Sequence, residues 1–167
     1  MTPSYDVCIV GGLGHVGLPL GLSLADTGLR VVLYDLNERA MALVGGGAMP
    51  FREADAEPVL RRVLGKTLFV SGNRSVVAGS HFVIVVIGTP VDEHLNPEFS
   101  LFRKVIAGLL DLIHEGQHVI LRSTVFPGTT EWTRSFLQEN GREARISFCP
   151  ERISEGQAMV ELRSLPQ

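Results

Sequence analysis

Two clusters of residues in this 167-residue sequence have the types and spacing for chemistry. Near the start, Gly12-Leu13-Gly14-His15-Val16-Gly17 follows an apolar run and spells G-x-G-x-x-G. Glycines so spaced allow a tight turn, a close approach of backbone to a pyrophosphate, and close packing of a helix on a strand. The helix that opens there would turn its free N–H groups and positive dipole end toward the phosphates. Asp35, eighteen residues after Gly17, stands where a carboxylate accepts hydrogen bonds from a ribose 2′-hydroxyl and repels a 2′-phosphate. That combination favours NAD over NADP. Near the other end, Glu151 and Glu155 flank a short polar stretch in "CPERISEG". Carboxylates can take a proton from an alcohol or orient a water, although by themselves these two read more simply as a solvated loop.

The elements that must hold these residues follow from hydrophobic periodicity. Tyr5 to Val10 is a β-branched apolar run, "RVVLYD", "TLFVS" and "HVILRS" are further strands, and "RISFC" is the last. "HFVIVVIG" is apolar on both faces, as a strand covered on both sides must be. Between them, helical spacing predicts helices over His15 to Thr27, Asn37 to Val44, Ala54 to Leu64, Ser100 to His114 and Thr129 to Glu139. Strands alternating with helices predict a Rossmann-type, doubly wound and mostly parallel sheet with helices on both faces. A similar sheet with a tight turn and a solvated Asp35, or a methyltransferase with a related glycine loop, are the competing readings of the N-terminal motif.

Composition narrows the partners. The net charge is −3 with no basic cluster, which gives no reason to expect nucleic acid. No apolar run is long enough to span a membrane, and "MTPSYDVCIV" is not a signal sequence. Cys8 and Cys149 lie far apart in apolar contexts, the usage of a reducing cytoplasm. The histidines lack metal-ligand spacing, so no metal is expected.

Three later stretches add to the glycine loop. "GTPVDEHLNP", "RSTVFPGTT" and "CPERISEG" each follow a strand, and so share the carboxyl edge where open α/β sheets bind ligands. With "GLGHVGLPL" they make the whole chain resemble the UDP-glucose/GDP-mannose dehydrogenase family, whose members oxidise the C6 alcohol of a nucleotide sugar to a carboxylate with two NAD. "PERI" followed by "EG" looks more like the branch acting on UDP-N-acetylhexosamines such as UDP-N-acetylmannosamine.

The resemblance implies cofactor contacts at Gly12, Gly14, His15, Val16, Gly17, Asp35, Thr89, Pro90, Ser123, Thr124 and Glu155. It implies that Thr124 lies near the nicotinamide and helps hold a water. Acid–base and water-positioning work would fall to Glu151 and Glu155. Residues 1–150 would form the NAD-binding domain, and 151–167 an active-site loop leading into a connection. The family's catalytic cysteine and sugar-gripping residues lie beyond, so the resemblance implies part of a longer enzyme, a homo-oligomer when complete. A stand-alone NAD-binding sensor and a β-hydroxyacid dehydrogenase-like domain are the alternatives, the latter disfavoured by "PERI".

Some positions depart from the family. Gly11 replaces a larger apolar residue and is expected to add local flexibility. His15 stands where an aromatic is common, and Arg39 falls one place short of a basic position near the ribose. Cys149 is expected to be a small buried hydrophobe rather than a nucleophile.

Overall fold

In the first strand, Val7 and Ile9 face one side of the sheet and Cys8 and Val10 the other, and all four are buried. That double burial requires cover on both faces, and the computed structural model, which describes residues 4–88 and 99–165, supplies it. The strands are β1 (Tyr5–Val10), β2 (Val31–Tyr34), β3 (Leu68–Ser71), β4 (Ser80–Val85), β5 (His118–Leu121) and β6 (Arg145–Phe148). They form one sheet in the order β3-β2-β1-β4-β5-β6, and every pairing is parallel. The chain winds outward from β1 in both directions, so the ends of β1 and β4 flank the switch point where a crevice must open.

The described residues form six α-helices, five between strands and one after the last: α1 (Gly17–Asp26), α2 (Glu38–Gly45), α3 (Ala56–Val63), α4 (Phe99–Leu109), α5 (Thr129–Glu139) and α6 (Ala158–Ser164). Leu18, Leu22, Val44, Leu60 and Met159 pack from α1, α2, α3 and α6 onto the Val7–Ile9 face. Phe102, Ile106 and Leu137, from α4 and α5, pack onto the Cys8–Val10 face. Cys8 is fully buried, and that desolvation pushes its thiol up to about 12, against a smaller lowering by a hydrogen bond with Ser80. It is a core residue.

The expected alternation holds, with shifts at the ends. The first helix begins at Gly17 rather than His15, because residues 11–16 are spent on the turn and Val16 occupies the cap. The fourth ends at Leu109 rather than His114, and α5 spans Thr129–Glu139 as expected. Two short elements carry no periodic signal in the sequence: a 3-10 turn at Arg74–Val77 and the seven-residue α6.

Helix α6 is the element that matters for the site. From β6, at one edge of the sheet, the chain crosses the carboxyl ends of the strands and packs α6 against α1 on the far side. Asp26 of α1 secures it, bonding Arg62 of α3 at 2.6 Å and Arg163 of α6 at 3.3 Å. The hydrogen bond from Arg62 is the chief reason the Asp26 carboxyl sits below its ordinary value, with Arg163 adding to it.

Candidate functional site

The glycines of this loop lack a side chain for two separate reasons. A Cβ on Gly12 would lie 2.8 Å from both the Ile9 carbonyl and the Leu33 side chain, and one on Gly17 would lie 2.6 Å from the Gly11 carbonyl. Those two are glycines because the protein is in the way. Gly14 is different: a Cβ there would meet nothing nearer than 3.8 Å. Its backbone faces open space, and among the described residues the amides of Gly14, His15 and Val16 have no protein acceptor. An anion's oxygens suit such a row of donors at a helix start. The structure corrects the expectation for Gly11. It has φ of 79°, and a Cβ would fall 2.2 Å from the Val86 carbonyl oxygen, so the position is constrained rather than flexible.

Asp35 follows β2 directly, beside this loop. Its Oδ2 accepts from the Leu13 amide at 2.9 Å and its Oδ1 from the Asn37 amide at 3.0 Å. The carboxylate therefore fixes the first turn of the loop, and each oxygen keeps a lone pair for a diol. Between Asp35 and α4 opens a cavity of about 490 Å³, walled by Val10, Tyr34, Leu36, Ile87, Val105 and Leu109. Its size and apolar walls are those of a small-molecule pocket. Donors, diol acceptor and apolar cavity fit the adenosine diphosphate half of a dinucleotide. A polar groove lined by Arg134, Arg142 and Arg145 lies at the other end of the sheet, where β5 and β6 begin, and takes no part in this arrangement.

The last strands contribute from the opposite flank. Ser123 is buried, and its hydroxyl accepts from the Ile87 amide at 2.9 Å and reaches the Val85 carbonyl at 3.5 Å, tying the ends of β4 and β5 together. Its side chain is engaged inside the protein. Thr124, next along, is exposed at the sheet edge. Thr89 and Pro90 lie outside the described residues.

The two carboxylates differ. Glu151 is almost wholly withdrawn from water: its Oε2 accepts from Arg122 Nε at 2.8 Å and Nη2 at 2.6 Å, with side chains 7% and 8% exposed. Its Oε1 accepts from the Arg152 and Ile153 amides at 2.7 and 3.0 Å. Every ready acceptor position is taken. Glu155, with a side chain 78% exposed, meets among the described residues only His15 of the glycine loop, at 4.0 Å. His15 itself stacks on Phe51 at 4.0 Å between centroids, so it does pack, as the aromatic it replaces would. Thus Gly14, Asp35, Thr124 and Glu155 share the carboxyl edge, with Glu155 carried across to the loop by the chain after β6.

Cys149 departs from expectation. It is half-buried rather than sealed in the core, and Arg122 donates to its Sγ at 2.9 Å. Arg122 organises this corner: one guanidinium bonds Glu151, the Cys149 sulfur and, at 3.4 Å, the Cys149 carbonyl. No periodic or motif signal pointed to that role beyond its place at a strand end.

The sequence profile of the UDP-glucose/GDP-mannose dehydrogenase family, NAD binding domain, matches residues 5–167. A UDP-N-acetyl-D-mannosamine dehydrogenase from Pyrococcus horikoshii is 30% identical over 158 residues, covering 90% of this chain and 37% of the relative. The enzyme of the same name from Escherichia coli is 28% identical, covering 95% and 40%. Among solved structures, a UDP-D-ManNAc dehydrogenase from P. horikoshii superposes with a TM-score of 0.86 at 29% identity over 94% of this chain and 38% of that one. A GDP-mannose dehydrogenase from Pseudomonas aeruginosa, at 24% identity and a TM-score of 0.87, shares the fold over 94% of this chain and 38% of that one. The chain spans about 40% of the length of these curated relatives.

Proposed function

Since the chain belongs to the UDP-glucose/GDP-mannose dehydrogenase family, as its NAD-binding domain, we propose that it serves the oxidation of a nucleotide sugar's C6 alcohol to a carboxylate. The substrate class is a UDP-N-acetylhexosamine, in keeping with relatives 30% and 28% identical that are UDP-N-acetyl-D-mannosamine dehydrogenases. Residues 1–150 bind the cofactor, and 151–167 form the active-site turn and the start of a connection. Residues that grip the sugar and form the acyl link belong to the rest of such an enzyme, which works as a homo-oligomer in the cytoplasm. Among the described residues no helix is long and apolar enough to cross a membrane.

The observation that carries this reading is the crossing of the carboxyl edge, which sets Glu155 within 4.0 Å of the glycine loop's His15. NAD, when bound, supplies a hydride acceptor. The amides from Gly14 to Val16 hold its pyrophosphate, Asp35 takes the adenosine ribose hydroxyls, and the apolar cavity takes the adenine. Asp35 also repels a 2′-phosphate, so NADP is disfavoured. At the far end, Thr124 would lie beside the nicotinamide and would hold a water. Glu155, exposed and with no further partner among the described residues, takes the hydroxyl proton and later activates water for hydrolysis. Glu151, saturated by Arg122 and two amides, keeps the turn in shape.

The test is NADH formation, followed by absorbance, with UDP-N-acetylmannosamine, UDP-N-acetylglucosamine and UDP-glucose each in excess. A longer protein carrying this sequence should turn over a UDP-N-acetylhexosamine in preference to UDP-glucose. The 167 residues alone should bind NADH and produce none. Sustained turnover by these residues alone, abolished by Cys149→Ala, would contradict the assignment of the chemistry.

A further inference from the structure

Glu53 lies between α2 and α3, on neither helix, yet it is only 8% exposed. A carboxylate withdrawn from water needs donors. It has two: the Gly156 amide donates to Oε2 at 3.0 Å and the Met159 amide to Oε1 at 3.3 Å. Met159 is the second residue of α6, where N–H groups have no acceptor within the helix, and Gly156 lies in the turn just before it. The Ala54 amide returns a bond to the Gly156 carbonyl at 3.3 Å. Gly156 has φ of 83°, a conformation that glycine takes without strain and that turns the chain into α6.

Two residues before Glu53, Phe51 stacks on His15. Residues 51–54 therefore hold both the glycine loop and the turn that follows Glu155, beside the point where His15 and Glu155 meet. The Glu155 side chain has no other contact to fix it among the described residues. Its place is set by the backbone, and the backbone is clamped at the next residue.

We propose that Glu53 is a positioning residue that seats Glu155 over the glycine loop by holding the Gly156 and Met159 amides. The proposal rests on reading that loop as the NAD site. It assigns a task at the cofactor cleft to a residue that the glycine, S-T and P-E-R-I motifs do not include.

The variant to make is Glu53→Gln, which keeps the shape but turns an NH2 group toward one of the two donors. Amide exchange by NMR should quicken at Gly156 and Met159. NADH affinity should fall by about three- to tenfold, the range one hydrogen bond is worth. Glu155→Ala should weaken NADH as well, and the double variant should bind no worse than Glu155→Ala alone, because Glu53 acts through Glu155. Unchanged exchange at Gly156 and Met159, or additive losses in the double variant, would overturn the proposal. If the unaltered protein fails to bind NADH, the function proposed above is wrong. The seating of the turn then stands or falls on the exchange rates and on movement of the His15 ring resonances in Glu53→Gln.

Discussion

His15 and Glu155 come from opposite ends of the chain and approach to 4.0 Å across the carboxyl edge of the sheet. The contact is half exposed and adds little stability. Its value is geometric: it marks the place where the last turn closes on the first loop. The arrangement depends on α6, which crosses to α1 instead of stopping at β6. Weakening α6 should therefore reach the cofactor cleft without touching either residue.

Asp26 offers such a weakening through pH. Its folded value is depressed by Arg62 and Arg163, so its contribution is present above the ordinary carboxyl value of 3.8 and lost as pH falls through the lower folded value. Below that window α6 should loosen. Amide protection factors across residues 158–164, taken against the unfolded chain at the same pH, should fall on acidification, and Asp26→Asn should show low protection already at neutral pH. Equal protection in the two proteins at every pH would contradict this.

The glycines separate into two kinds by substitution. Gly12→Ala places a Cβ 2.8 Å from backbone and side chain, and overpacking of that sort costs about 1–3 kcal/mol of stability, readable by urea unfolding. Gly14→Ala has room and should unfold nearly as the unaltered protein does, while NADH binding weakens. An unstable Gly14→Ala with intact NADH binding would reverse the assignment.

The Arg122–Glu151 pair is buried, and removing one partner strands the other charge. Glu151→Ala should cost about 3–5 kcal/mol of stability. Thr124→Ala, at an exposed strand end, should leave the unfolding midpoint almost unmoved and chiefly lower turnover in a complete enzyme. If Glu151→Ala proves as stable as Thr124→Ala, Glu151 is not the structural group described here.

Much of this was legible in the sequence because one local pattern set each part. The run at Tyr5–Val10, the glycines after it and Asp35 at the next strand end each had a short-range cause, as did α5. What escaped was long-range. Glu151 and Glu155 look alike in "PERISE", and only burial against Arg122 separates them. Glu53 sits in an irregular stretch, and its partners are more than a hundred residues away. α6 is a single short helix with too few turns to show a period, held instead by Met159 in the core and by the Asp26 pair. The freedom expected of Gly11 was wrong because the Val86 carbonyl that confines it comes from another strand's end.

Asp35 and the glycine loop together should form an NAD site. Calorimetric titration of NADH and NADPH into the purified protein and into Asp35→Ala decides the matter. NADH should bind more tightly than NADPH, and Asp35→Ala should lose on the order of 1–3 kcal/mol of NADH affinity, the worth of hydrogen bonds to a charged acceptor, while gaining on NADPH. Equal or tighter binding of NADPH by the unaltered protein, or an Asp35→Ala protein that binds NADH undiminished, would contradict the account.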